Sequence, residues 1–579
     1  MTYLFNNPAK FADELIEGYA AAHRDKILRV DGGVIRRHKV RTGQVVVVIG
    51  GGSGHYPAFG GFVGHGLAHG AVLGNVFAAP SAQQICQVAQ AVNADGGILF
   101  CYANYAGDVL NFNQAQERLR SMGFKVRSVV VTDDIASASF DEKHKRRGIA
   151  GTLPVFKAAA ASADAGKSLE EVACIAAEAN DRVRSLGVAF SGCTLPGATK
   201  PLFEVMRGKM EVGMGIHGEP GLSRIDAPSA DGLAHMLVDQ LLAEVPATVK
   251  SLAGARIGVI LNGLGAVKYE ELFVVYRKID QLLTSRGLNI IEPVVDELIT
   301  SFDMAGVSLT LFWLNNALEQ TWIAAADTPA FHRGIVTHVT SVSENEVRAT
   351  RYQDRPPLKP GSAESQAAAK ITLKALEAAR NAVEEKLEYL GRLDAIAGDG
   401  DHGLGMQRGL AAAVEAAKQA LMAQAGAGSI LIAASDAWSD RAGGTSGALW
   451  GIMLRNLGNV LGDDNKPDAS TLAAGVAAAL EGVRDLGKAK PGDKTLVDVL
   501  QPFSLALANG KARSLSITET WTAAAEIAGK AAQATQNLAP RIGRARPHVE
   551  KSIGTPDPGA VSLALIICAV DKVIRTHCS

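Results

Sequence analysis

No cysteine framework holds this chain together. Its six cysteines, Cys86, Cys101, Cys174, Cys193, Cys568 and Cys578, are scattered with no CxxC spacing. That excludes a disulfide scaffold and a zinc ribbon, and it favours a reducing compartment. An excess of charge of one sign is also lacking. Lys and Arg number 58 against 59 Asp and Glu, so the formal net charge is -1. A nucleic-acid or anionic-membrane binder would carry a basic footprint, and none exists here. No apolar run reaches about 18 residues, so no membrane span is expected. The opening residues Met1 to Asn7 lack a charged segment followed by an apolar one, the pattern of a secretory signal. A cytoplasmic protein with no membrane and no nucleic-acid partner is expected. No GxxxxGK[ST] occurs, so a P-loop is excluded. What remains is a globular composition, 47% hydrophobic and 20% charged, in a chain too long at 579 residues for one core. Two to four domains are expected.

The chemistry concentrates in Leu393-Asp394-Ala395-Ile396-Ala397-Gly398-Asp399-Gly400-Asp401-His402-Gly403. Glycines between and after the last two carboxylates let the backbone curl, so Asp394, Asp399 and Asp401 can aim at one point. Three carboxylates at one point repel each other unless a cation sits among them. Oxygen ligands suit a hard ion, and Mg²⁺ is the usual choice when phosphates complete its shell. The stretch therefore reads as a Mg²⁺-nucleotide site. The same composition also makes a plain turn. An EF-hand needs Glu at position twelve, and counting from Asp399 that position is Leu410.

Taken in order, Phe11 to His23 has helical spacing, and Val45 to Ile49 reads as a buried strand running into Gly50-Gly51-Gly52-Ser53-Gly54-His55. Further strands are expected at Gly97 to Tyr102 and Val126 to Val131, with helices at Ala82 to Val92 and Phe112 to Met122. This alternation predicts a mainly parallel or mixed sheet. Leu153 to Leu186 reads as two helices split near Gly166, with Ser168 as N-cap of the second. Strands at Arg256 to Leu261 and Ser308 to Trp313 predict a second α/β unit. His55, Asp108 and His217 each stand beside glycine at predicted strand ends, where α/β sheets present polar groups to ligands. A histidine in a chain with thirteen is also commonly structural.

Three prolines and a glycine within Asp354 to Ser362 mark a linker. The expected domains are residues 1–335, with α/β subdomains of about 1–186 and 187–335, a linker at 336–362, and an all-α domain of about eight helices at 363–579. In the helical part, Arg441-Ala442-Gly443-Gly444-Thr445-Ser446-Gly447 precedes an apolar helix. Backbone N–H groups at a helix start, with two hydroxyls, can cradle phosphate. A tight helix-helix turn is the competing reading. Lys490 to Thr495 and Gly554 to Ala560 also precede helices, and each could serve only as a cap. In a bundle, all four loops could meet at one end and surround a nucleotide.

With these motifs in hand, the chain resembles the dihydroxyacetone kinase family over nearly its whole length. GGGSGHYPAF, NYAGDVLNF and GMGIHGEPG are similar to the family's substrate-binding subunit, and DAIAGDGDHG, GGTSGALWG, AKPGDKT and DPGA to its nucleotide-binding subunit. The resemblance implies that His217 adds to the substrate ketone and holds it as a hemiaminal. It implies that Asp108 is the general base, and that His55 hydrogen-bonds the substrate and assists. Gly52 and Ser53 match further substrate contacts. Asp394, Asp399 and Asp401 match the carboxylates that bind Mg²⁺ between nucleotide phosphates, and Gly443, Gly444, Thr445 and Ser446 match the phosphate loop. Asp557 and Gly559 fall in the DPGA nucleotide motif. ATP and Mg²⁺ are the implied cofactors, and a homodimer is the implied assembly.

Three positions depart from the family pattern. A lysine that contacts substrate in the common dihydroxyacetone kinases is Ala103 here. The Glu after GGGSGH is Tyr56. The GRASYLGER segment reads Gly543 to Lys551 with different residues. Loss of the lysine removes a charge and about four methylenes, which makes room for a longer ketose. The resemblance thus implies an ATP-dependent kinase of dihydroxyacetone or of D- or L-erythrulose. Its rivals are a phosphotransferase-coupled ketose kinase and a non-catalytic ketose-binding regulator.

Overall fold

The computed structural model describes residues 2–219, 221–336, 358–398, 400–512, 515–543, 545–546 and 549–577. Two compact units are present, Met1–Tyr352 and Gln353–Ser579. Most of the linker predicted at 336–362 lies outside the described residues, as do Asp399 and, within Gly543 to Lys551, residues 544, 547 and 548.

The first unit is built on two sheets. Its strands are β1 Ile27–Val30, β2 Gly33–Arg36, β3 Val46–Ser53, β4 Gly70–Val76, β5 Ile98–Ala103, β6 Val126–Val131, β7 Val183–Ala189, β8 Lys209–Val212, β9 Ser223–Asp226, β10 Arg256–Gly263, β11 Asn289–Ile290, β12 Val294–Asp296 and β13 Gly306–Leu314. Sheet one runs β1-β2-β4-β3-β5-β6 and is parallel from β4 to β6. Sheet two runs β11-β10-β13-β7-β8-β9, with β12 also beside β10. The sequence alternation anticipates the first sheet. The second is antiparallel from β10 through β13, β7 and β8 to β9. The β8–β9 hairpin, and the long return from β7 to β13 and β10, impose that pattern. Strand β7 lies wholly in sheet two, so the predicted subdomain boundary at residue 186 cuts through it.

Alternating side chains explain the layering. Val45, Val47 and Ile49 join one buried cluster with Leu99, Cys101 and Ala103, whereas Val46 and Val48 join another with Ile98, Phe100 and Tyr102. The first cluster also takes Phe312 and Leu314 from sheet two and Leu153, Phe156, Val172 and Ala176 from the helices Thr152–Asp164 and Leu169–Asp181. Those two helices therefore fill the space between the sheets. The helices Ala82–Val92 and Ala106–Ser121 cover the outer face of sheet one. Ala230–Leu242 and Tyr269–Ser285 cover that of sheet two. Ser168 caps its helix as anticipated, in a reciprocal pair with Glu171.

Strand β3 does not stop at Ile49. It continues through Gly50, Gly51 and Gly52 to Ser53. A side chain at Gly51 would run into the ring of Phe59, and one at Gly52 would meet Ala78 N at 2.7 Å. The glycines let the strand pass under close neighbours, with a register shift against β4 between Gly51 and Ser53, and His55 follows two residues beyond its end.

The second unit has eight long helices among its described residues: Ala363–Glu385, His402–Met422, Ala427–Ala442, Gly444–Leu461, Ala469–Gly487, Val497–Ala512, Ile517–Ala534 and Pro558–His577. Each packs on the next, and the last packs back on the first, closing a ring. Ala, Leu and Val fill the centre, with Trp438 and Trp450 stacked at 4.6 Å. In an up-and-down ring, alternate connections share an end. The loops after the first, third, fifth and seventh helices are the four that carry the polar motifs. No described helix is long and apolar enough to cross a membrane.

Candidate active site

In the first unit, the loop after β3 meets two loops of sheet two. Phe302 N–H donates to Gly54 O at 3.0 Å, and the Thr300 hydroxyl donates to Tyr56 O at 2.6 Å. His217 arrives on the loop between β8 and β9. The rings of His55 and His217 stand perpendicular, with centroids 4.7 Å apart. Phe77 stacks on His55 at 5.0 Å, and Tyr105 packs edge-on to His217 at 4.3 Å.

The His55 tautomer follows from its partner. Nδ1 lies 2.9 Å from Thr300 O. A carbonyl only accepts, so Nδ1 carries the proton and Nε2 keeps a lone pair. His55 Nε2 is buried and has no hydrogen-bond partner among the described residues. Burial, and next the neighbouring His217, push the His55 pKa down to about 3, so this ring is neutral at physiological pH. It is an acceptor aimed into a closed space.

Asp108 does not sit at a strand end. The helix after β5 begins at Ala106, six residues earlier than predicted, and Asp108 lies buried in its first turn. A carboxylate there faces the positive end of the helix dipole. Tyr105, which touches His217, is the N-cap of that helix. Ser53 donates its hydroxyl proton inward to Gly74 O at 2.6 Å, leaving only oxygen lone pairs for a ligand. Ala103 ends β5 on the inter-sheet side, in one buried cluster with Tyr105 and Ile216. Tyr56 turns outward, 53% exposed.

In the second unit, the four loops do meet. Asp394 Oδ2 accepts the His402 backbone N–H at 3.3 Å. The His402 ring bridges two other elements, with Nε2 2.9 Å from Ser562 Oγ and Nδ1 3.5 Å from Ser446 Oγ. Asp557 caps the last helix by accepting the Ala560 N–H at 2.7 Å. Burial first, and the charge of Asp394 after it, push both Asp401 and Asp557 up to about 7. Lys494, from the third loop, is the cation that opposes this at Asp557, and its ammonium donates to Ser552 O at 2.6 Å. A cavity of about 370 Å³ adjoins that loop, lined by Arg484, Asp485, Lys488 and Lys490 among others.

Gly443 and Gly444 both have φ near +60° (61° and 60°), which turns the chain sharply into the helix Gly444–Leu461. No atom lies within 4 Å of where a Gly444 side chain would begin. Glycine is needed there for the turn, and the helix start with Thr445 and Ser446 faces open space. Gly559 is the second residue of the last helix, and its carbonyl accepts the Ser562 hydroxyl proton at 3.0 Å.

Asp394 and Asp401 thus share one acidic end with Asp557, while Asp399 lies outside the described residues. Among the described residues no three His, Cys, Asp or Glu side chains close into a metal-ligand group. The crowding fits a divalent cation: burial and the charge of Asp394 push two carboxylates toward neutrality, and a cation among them would favour their charged forms. Sequence reasoning missed Glu219, Tyr105 and His402, although all three lie inside motifs it had marked. Thr300 had no signal. It lies 245 residues from His55 and acts through a backbone oxygen.

The comparisons with known proteins agree across the whole chain. Residues 17–330 match the Dak1 domain and residues 396–572 the DAK2 domain. The chain is 56% identical to the L-erythrulose kinase of Pectobacterium atrosepticum, covering 100% of this chain and 97% of that one. It is 51% identical to the D-erythrulose kinase of Mycolicibacterium smegmatis, over 98% of this chain and 97% of that one. It is also similar to the dihydroxyacetone kinase of C. freundii solved in complex with AMP-PNP and Mg²⁺, at 30% identity, 99% coverage of both chains and a TM-score of 0.53. The chain belongs to the dihydroxyacetone kinase family, as a kinase that carries both family domains on one polypeptide.

Proposed function

We propose that this chain transfers a phosphoryl group from Mg²⁺-ATP to a terminal hydroxyl of a short-chain ketose, with erythrulose preferred over dihydroxyacetone. The observation that carries the reading is the His55–His217 pair, in a chain similar along its full length to erythrulose kinases. His217 binds the ketone: Nε2 bonds to the carbonyl carbon, the π pair moves to oxygen, and that oxygen takes a proton from solvent. The hemiaminal selects carbonyl compounds over polyols. His55 Nε2 accepts a hydrogen bond from a substrate hydroxyl. Asp108 takes the proton of the terminal hydroxyl as it attacks the γ-phosphate. Ala103, in place of a lysine, leaves volume for a fourth carbon.

Asp394, Asp401 and Asp399 would hold Mg²⁺, with Gly443, Gly444, Thr445, Ser446, Asp557 and Gly559 around the nucleotide. Bound there, the cation supplies charge neutralisation for phosphoryl transfer. The reading includes a cytoplasmic homodimer, in which the chain's mass in solution doubles.

Asp108→Asn tests the base. The carboxamide keeps the shape and removes the proton acceptor. Ketose-dependent ADP release is expected to fall about 100-fold in kcat while the ketose still binds. Unchanged kcat would remove Asp108 from that role.

A further inference from the structure

The loop that carries His217 also carries a restrained carboxylate. Glu219 is 8% exposed. Its Oε2 accepts the backbone N–H of His217 at 3.0 Å, and its Oε1 stands 3.6 Å from Nδ1 of the same ring. Arg147 stands beside it. The Arg147 Nε and Nη2 atoms donate to Asp134 Oδ2 at 3.0 and 2.8 Å, and Nη2 also donates to Gly213 O at 2.7 Å. Gly215 is the point where the two side chains converge. A methyl group there would run into Glu219 Oε2 and would meet Arg147 Nη1 at 2.8 Å. The Tyr105 ring closes the other side of the imidazole.

We propose that Glu219, braced by Arg147, is the positioning residue of His217: it keeps a proton on Nδ1 and thereby presents the Nε2 lone pair to the ketone. The inference rests on the reading of His217 as the carbonyl-binding nucleophile. Its logic is that of any carboxylate behind an imidazole, which fixes tautomer and orientation and stabilises the ring charge that develops. When Nε2 bonds to carbon, the ring becomes cationic, and the Nδ1–H stays opposite the Glu219 carboxylate. His55 cannot do this, because its Nδ1 is committed to Thr300 O. The other titratable groups around the loop are Tyr105 before the helix that follows β5, Asp134 and Arg147 after β6, and Cys193.

Two spectra on the full chain test the proposal. In ¹⁵N-histidine-labelled protein, His217 is expected as the Nδ1–H tautomer, and Glu219→Gln is expected to lose that preference while keeping an acceptor for the His217 N–H. With ketose carrying ¹³C at the carbonyl, the wild type is expected to convert that carbon to a tetrahedral one. Glu219→Gln should lower the adduct about 10-fold or more. An Nε2–H tautomer in the wild type, or an undiminished adduct in Glu219→Gln, would overturn the role of Glu219 and leave the covalent reading intact. No adduct in the wild type would overturn both. Should Glu219→Gln fail to fold, Arg147→Lys interrupts the same brace. A several-fold weaker adduct supports the proposal, and an unchanged one contradicts it.

Discussion

His217→Ala is expected to abolish the ketose adduct and to reduce kcat/KM by at least about 1000-fold, roughly 4 kcal/mol of transition-state stabilisation. The ring is enclosed by His55, Phe77 and Tyr105, and of these three only His55 carries a nitrogen that could bond to the carbonyl carbon in its place. His55 is the nearest other imidazole, but its Nδ1 is tied to Thr300 and its position is fixed by the stacked Phe77. It cannot swing into the role. The variant should stay folded, because the backbone bonds at Gly213 and Gly215 and the Glu219 carboxylate on the His217 N–H survive the substitution. Detection of ketose adduct in His217→Ala by ¹³C spectroscopy would contradict the assignment. Retained turnover without adduct would show that covalent capture is dispensable.

Replacing the acidic end of the helical ring should have a comparable effect through a different route. Asp394→Asn with Asp401→Asn is expected to weaken Mg²⁺-dependent nucleotide binding about 1000-fold, read by calorimetry with and without the metal. The physical reason is the one that pushes Asp401 and Asp557 up: burial first, and then the negative charge of Asp394 in the same confined space. Without the cation the same change should raise the melting temperature, because two mutually repelling carboxylates become neutral. A structural turn that merely needed Asp394 to accept the His402 N–H would show no such rise, because a carboxamide oxygen still accepts that bond. Unaltered nucleotide affinity would count against the metal reading.

Much of this was legible in the sequence because the relevant signals are local. Alternation in Val45 to Ile49, the Ser168 cap and the glycine pair at 443–444 each dictate their own geometry. Loop convergence in the helical part was also foreseeable, since a closed ring of eight helices puts alternate loops at one end. What was not legible depends on long-range partners. The antiparallel order of sheet two is set by which strands return beside β7, and periodicity does not encode that. Asp108 was displaced from a strand end to a helix start because Ala106 and Gly107 gave no capping signal. The second-layer residues behind the histidines escaped for the same reason. Thr300 acts through its carbonyl, and Arg147 converges with Glu219 on Gly215 from a different element. A histidine in a glycine-rich loop declares itself, and the groups that aim it do not.

A ketose kinase that uses ATP directly needs no protein phosphodonor. Its most direct test is ADP release from Mg²⁺-ATP by the purified full chain, compared across dihydroxyacetone, D-glyceraldehyde, D-erythrulose, L-erythrulose and glycerol. Turnover is expected with the ketoses, with a higher kcat/KM for an erythrulose than for dihydroxyacetone, and none with glycerol. Preference for dihydroxyacetone would contradict the role given to Ala103. Silence on every ketose would contradict the kinase reading and favour a protein phosphodonor or a ketose-binding regulator.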